Sequence, residues 1–186
     1  MAAGSWLRLR GWTIFGAAVY VHQYVLIASA ALIVLALRNW VLATTCLASY
    51  VAIIFAHEVG HAAIARCLGY EVTAIRVGLL HGRCDYEHPD SALDASLVGW
   101  GGVLAQFSIA ALVFGVASVI SGTISDHFGP IVIFLGYMNS VIAAINLTPH
   151  APFDGYLAWR IFPLILDKLR GEAAVRRAIK RTSKHR

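Results

Sequence analysis

Charge is what this chain has least of. Asp, Glu, Lys and Arg make up only 13% of its 186 residues, against about 25% in an ordinary soluble domain. A large buried core cannot absorb the deficit, because a chain of this length still exposes much of its surface. With 59% hydrophobic residues, the chain is expected to be covered largely by lipid. Cysteine is also scarce: Cys46, Cys67 and Cys84 show neither a close pair nor a metal-knuckle spacing. A disulfide framework is thereby excluded, and a cysteine nucleophile has no support. Internal repeats and low-complexity segments are missing too. The expectation is one membrane-embedded core over residues 1–170, followed by a basic tail over 171–186, with no room for an added soluble module.

Positive charge is unevenly placed. Eight of the fifteen Lys and Arg fall in residues 168–186, which suits a cytoplasmic topology signal beside anionic headgroups. A basic tail alone does not argue for nucleic acid, and no nucleic-acid partner is expected. Arg8, Arg10 and the triplet Ala28-Ser29-Ala30 imitate a signal peptide. The apolar stretch nevertheless runs on to Leu37, long for a secretory signal, so it reads as a retained first span.

Long apolar runs organise the rest. Four are long enough to cross a bilayer, which takes about 20 residues: residues 19–37, 43–68, 95–120 and 131–147. Before them, Trp6 to Arg10 alternates like a short strand or interfacial segment, anchored by Trp6 and Trp12. His22, near the start of the first run, reads as a helix-end histidine satisfied locally. Residues 70–83 carry β-branched Val72, Thr73, Ile75 and Val77 with Gly78 and Gly82, a strand or hairpin at the interface. Asp85, Glu87, His88, Asp90 and Asp94 read as a solvated loop, as do residues 121–130 around Asp126. Residues 156–169 suit an interfacial helix kinked at Pro163. The fold expected is an all-α polytopic membrane protein of about four transmembrane helices, with a short membrane-associated β segment and a C-terminal interfacial helix. The positive-inside rule then puts both termini, and the ends of the second and fourth spans, on the cytoplasmic side.

The second run carries His57-Glu58-Val59-Gly60-His61. At helical pitch the two histidines lie on one face, one turn apart. That spacing lets both imidazoles hold one zinc ion while Glu58 acts as general base toward an attacking water. A carboxylate at membrane depth costs several kcal/mol, about 2.5–3.5 on insertion scales, which favours a functional reading. Gly60 reads as a close-packing position, and Gly99-Trp100-Gly101-Gly102 makes the start of the third span small enough to meet another helix. Catalytic zinc usually takes three protein ligands. His81, Asp85, Glu87 and His88 belong to the hydrophilic loop, too far toward water. His150 and Asp154 both lie in the stretch Asn146 to Gly155, where two prolines forbid a regular helix. Gly155 permits a tight turn beside Asp154, which tilts the choice toward Asp154 and leaves His150 open.

Together, His57-Glu58-Val59-Gly60-His61, Asn146-Leu147-Thr148-Pro149 and Asp154-Gly155 resemble the site-2 protease family of intramembrane metalloproteases. The resemblance implies one Zn2+ per chain held by His57, His61 and Asp154, with Glu58 as base. It implies that Asn146 contacts the substrate backbone or the developing oxyanion, and that the strand in residues 70–83 belongs to a sheet able to pair with an extended substrate. The chain departs from the family's G-P-x-x-N-like element, keeping Gly102 but placing Val103 and Gln106 where Pro and Asn are common. It carries no inserted PDZ or CBS-type domain, as a minimal core would. Single-span membrane proteins or signal-peptide remnants are the implied substrates, in a prokaryotic cytoplasmic membrane with the active site toward the cytoplasm. Two other classes compete: a non-catalytic, zinc-stabilised relative that binds membrane helices and uses His150 as a fourth ligand, and an ion transporter. A purely structural site has no use for Glu58, and a transporter would want more polar residues along its spans.

Overall fold

Two of the apolar runs fold as long uninterrupted helices, α2 (Trp40–Cys67) and α3 (Ala92–Val119), each of 28 residues. At 1.5 Å per residue each is about 42 Å long, more than the roughly 30 Å of bilayer hydrocarbon. A third long helix covers Phe128–Asn146, with a π-helical segment at Val132–Met138 in its middle. The computed structural model describes residues 5–35, 39–79, 81–120 and 128–183. The end of the first apolar run, at Leu37, and the part of the expected loop around Asp126 lie outside these residues. Among them, three helices are long and apolar enough to cross a membrane, and the chain is built as an integral membrane protein.

The expected first span is not one helix. Its beginning, Ala17–His22, is strand β2, and only Gln23–Leu35, 13 residues, is helical as α1. Hydropathy alone cannot separate a buried strand followed by a helix from one continuous span. Here Val19, Tyr20 and Val21 supply the β-branched and aromatic residues that favour the strand. The all-α expectation is corrected at the same point. β1 (Trp6–Ile14), β2, β3 (Val72–Val77) and β4 (Gly82–Tyr86) form one four-stranded sheet in that order. β1 and β2 pair antiparallel across the turn Phe15-Gly16, β2 and β3 pair parallel, and β3 and β4 close an antiparallel hairpin. Helices α1 and α2 form the crossover that a parallel pair requires.

One face of this sheet is the protein's best-buried region. Ala17, Val72 and Ile75 pack against Ala62 and Ala65 of α2 and Val98 of α3, with Tyr70 at the end of the cluster. The sheet is therefore fastened to the end of α2 that carries the histidine motif. β1, at the far edge, leaves Leu7, Trp12 and the turn residue Phe15 exposed, which suits contact with lipid. His22 is held at the β2–α1 junction, where its Nδ1 accepts from the Tyr24 N–H at 3.2 Å and its ring meets Trp6 edge-on. After the third long helix come a short helix, Gly155–Ala158, and a terminal helix, Ile161–Ser183. Pro163 falls in the first turn of the latter, where proline is tolerated.

Candidate metal centre

Helices α2 and α3 cross where two glycines meet. A Cβ on Gly60 would run into the Gly101 carbonyl and stand 2.7 Å from the Ala105 Cβ; one on Gly101 would stand 2.9 Å from the Gly60 carbonyl carbon. One residue along, a Cβ on Gly102 would stand 2.6 Å from His57 Nδ1 and 2.6 Å from His61 Nε2. The glycine run foreseen as a packing surface thus also clears the space that both imidazoles fill.

The two rings stand perpendicular, 4.6 Å between centroids, with their Nε2 atoms 3.1 Å apart. Asp154 Oδ2 lies 2.9 Å from His57 Nε2 and 3.4 Å from His61 Nε2. Among the described residues these three form the group whose donor atoms converge within 4.8 Å. In a tetrahedral zinc site with bonds of about 2.0–2.1 Å, donor atoms sit about 3.3 Å from one another. The observed separations match. Each remote ring nitrogen is also engaged: His61 Nδ1 donates to the Val98 carbonyl at 2.7 Å, and His57 Nδ1 to Gln106 Oε1 at 3.0 Å. Both Nε2 lone pairs are thereby left for a metal.

Asp154 arrives there because the broken stretch is tied down at several points. The Gly155 backbone lies directly on that of Leu147 and Thr148, leaving no room for a Cβ, and Trp159 Nε1 donates to the Leu147 carbonyl at 2.6 Å. From α3, Ser96 Oγ donates to the Leu157 and Ala158 carbonyls at 2.8 and 2.9 Å, and Trp100 Nε1 to that of Ala158 at 2.9 Å. Ser96, Trp100, Gly102 and Gln106 were not singled out as parts of the site from sequence. Their shared signal was the polar and small residues at helical spacing on one face of an otherwise apolar helix.

Glu58 is 6% exposed and faces β4. A Cβ on Gly82 would stand 2.7 Å from its carboxyl carbon. A cleft of about 200 Å³ brings together His57, Glu58, His61 and Asp154 with Arg83, Cys84 and Tyr86. It shares Arg83, Cys84, Tyr86 and Leu157 with a larger polar groove of about 1140 Å³ along β4. Asn146 ends the third long helix, half-buried, and does not line the cleft. His150 is exposed, with Nδ1 against the Ala151 carbonyl, outside the three-residue donor group. In the acidic stretch, Asp85 pairs with Arg76 at 2.6 Å and Arg83 at 2.7 Å, while Asp94 accepts from the Tyr70 hydroxyl at 2.9 Å. These contacts tie the stretch to the sheet and leave its acids outside the donor group.

Burial first, and then the charges of Glu58 and Asp85, push the Cys84 thiol up to about 12. A raised value keeps it a neutral thiol, and only the thiolate is nucleophilic. Maleimide at pH 8 is expected to label exposed Cys67 and to spare Cys84, as read by peptide mass mapping.

Comparison of the sequence with protein-family models and with curated proteins gives no match. Comparison of structures does. The site-2 protease from Methanocaldococcus jannaschii aligns with a TM-score of 0.63 at 23% identity, over 88% of this chain and 72% of that one. This chain has the site-2 protease fold.

Proposed function

We propose that the protein is an intramembrane zinc metalloprotease that hydrolyses peptide bonds in or near the transmembrane segments of membrane-protein substrates. One observation carries the reading: two imidazoles and a carboxylate converge at zinc-like separations, with a second, buried carboxylate beside them, and the two histidines and Glu58 stand on a helix long and apolar enough to cross a membrane.

Zinc, when bound, supplies Lewis acidity toward a peptide carbonyl and the attacking water. The protein does the rest. Glu58 takes the water's proton and returns it to the leaving amine. β4 packs against that carboxylate at Gly82, while Asn146, which the resemblance assigns to the substrate, stands outside the cleft. A helical substrate hides its carbonyls in its own hydrogen bonds, so it must unwind to reach the cleft, and Gly or Pro near the scissile bond eases this. The polar groove along β4 is the route for water. β4 is an edge strand, free to receive the unwound segment by strand pairing.

His57 lies ten residues, about 15 Å, before the end of α2. The sheet gathers β1 and β2 on the same side as β3 and β4. That side carries Arg8, Arg10, Arg66, Arg76, Arg83 and Arg160. The positive-inside rule supports a cytoplasmic placement for it. Single-span proteins and signal-peptide remnants are the substrates this geometry suits. The competing zinc-stabilised binder would need a closed, four-ligand site, and His150, its proposed fourth ligand, is turned to the Ala151 carbonyl, outside the donor group.

The test compares protein termini in membranes of cells carrying the wild type or Glu58→Gln. The expected result is a new terminus inside a single-span protein's apolar segment with wild type alone, a loss of at least about 100-fold in the variant, and equal zinc in both. Identical termini in the two membranes would overturn the reading.

A further inference from the structure

Gln106 is a costly residue where it stands. It lies midway along α3, 1% exposed, and its Nε2 has no hydrogen-bond partner among the described residues. Leaving a buried amide donor unmade costs about 1–3 kcal/mol, and nothing in the packing repays this. Its other amide atom, Oε1, does one thing: it accepts from His57 Nδ1 at 3.0 Å. The backbone of Gln106 is braced for that contact from the third long helix, where Asn139, fully buried, donates from Nδ2 to the Gln106 carbonyl at 2.7 Å. Asn139 directly follows the π-helical segment Val132–Met138, and such wide turns recur at functional sites.

The consequence for His57 is chemical. A neutral imidazole carries one proton, and the acceptor it faces decides which nitrogen holds it. His61 has no choice, since the Val98 carbonyl can only accept. A bare His57 in an apolar wall would have none of this guidance, and its neutral ring could carry the proton on Nε2, where a lone pair is needed. We infer that Gln106 is a positioning residue that holds His57 in the Nδ1–H tautomer and orients its Nε2 toward Asp154 and the metal. Val98 does the same for His61, but through backbone, which is why only the His57 partner can be removed by mutation.

This inference rests on the metal reading of the His57, His61 and Asp154 group, and its test separates the two. Full-length protein in detergent micelles is stripped, titrated with Co2+ and with Zn2+ against a competing chelator, and followed by the visible Co2+ spectrum and by thermal unfolding. Gln106→Leu is expected to weaken metal binding about 10–100-fold and to alter the Co2+ bands, while its metal-free form melts where the wild type does. Gln106→Glu, which keeps an acceptor and cannot present a donor when ionised, is expected to restore affinity and spectrum. If the leucine variant is unstable, Gln106→Asn carries the test, because it keeps the amide but falls one methylene short of His57. Wild-type affinity and spectrum in the leucine or asparagine variant would overturn the assignment to Gln106 alone. A wild-type protein that binds neither ion would overturn the metal reading and this inference together.

Discussion

Asp154→Ala is expected to strip the protein of its metal. Two histidines from adjacent turns of one helix make only two ligands, and the carboxylate oxygen at 2.9 and 3.4 Å from their Nε2 atoms is the third donor in the group. Loss of an outer hydrogen-bond partner already costs about 10–100-fold in metal affinity, so loss of a ligand should exceed about 100-fold and take peptide hydrolysis with it. Metal per chain, measured by plasma mass spectrometry on purified protein, checks the first half; cleavage of a single-span substrate checks the second. His150→Ala is the companion variant. It should keep its metal, because His150 is exposed and turned to the Ala151 carbonyl. Metal lost equally from both variants would mean a closed four-ligand site, and the hydrolase reading would fail.

The second large effect is expected at Gly60. Gly60→Ala places a methyl group against the Gly101 carbonyl and 2.7 Å from the Ala105 Cβ, and backbone cannot swing aside as a side chain can. Overpacking of this kind costs about 1–3 kcal/mol. Because the same crossing holds His57 and His61 against Gly102, forcing the helices apart should lower metal content as well as stability. Gly115 lies on α3 with nothing within 4 Å of its would-be Cβ. Gly115→Ala should be neutral or stabilising by up to about 1 kcal/mol, the helix propensity difference. Unfolding in mixed micelles, read for both variants beside their metal content, compares them. Equal stability of the two would show that the glycine crossing is not what sets the distance between the helices.

Much of the donor group was legible before the fold was. His57 and His61 announce themselves by spacing on one helix, and Asp154 by lying beside a glycine in a stretch that proline keeps from being helical. Those signals are local. Gly60 and the glycines at 99, 101 and 102 were readable as packing positions for the same reason. The alternation from Trp6 to Arg10 was legible as a strand, but Ala17–His22 and Gln23–Leu35 were not separable, because an apolar strand running into a short apolar helix has the hydropathy of a single span. Ala17–His22 pairs with Trp6–Ile14 across a two-residue turn and with Val72–Val77 on its other side; the second partner lies some fifty residues on, and no local signal carries that pairing. Gln106 and Asn139 were hidden in a different way. A polar residue in a span signals a partner without naming it, and the partners here sit on other helices.

The Gly82–Glu58 contact has a consequence for the turn that precedes it. Only four residues, 78–81, join β3 to β4, and surface turns are ordinarily where chains gain and lose residues most freely. This one is held to a count. Add or remove a residue there and His81 or Arg83 slides into the place where Gly82 leaves room for the carboxylate, while every side chain of the strand changes faces. The length of a turn at the rim of the molecule is thus dictated by a buried acid in the layer beneath it.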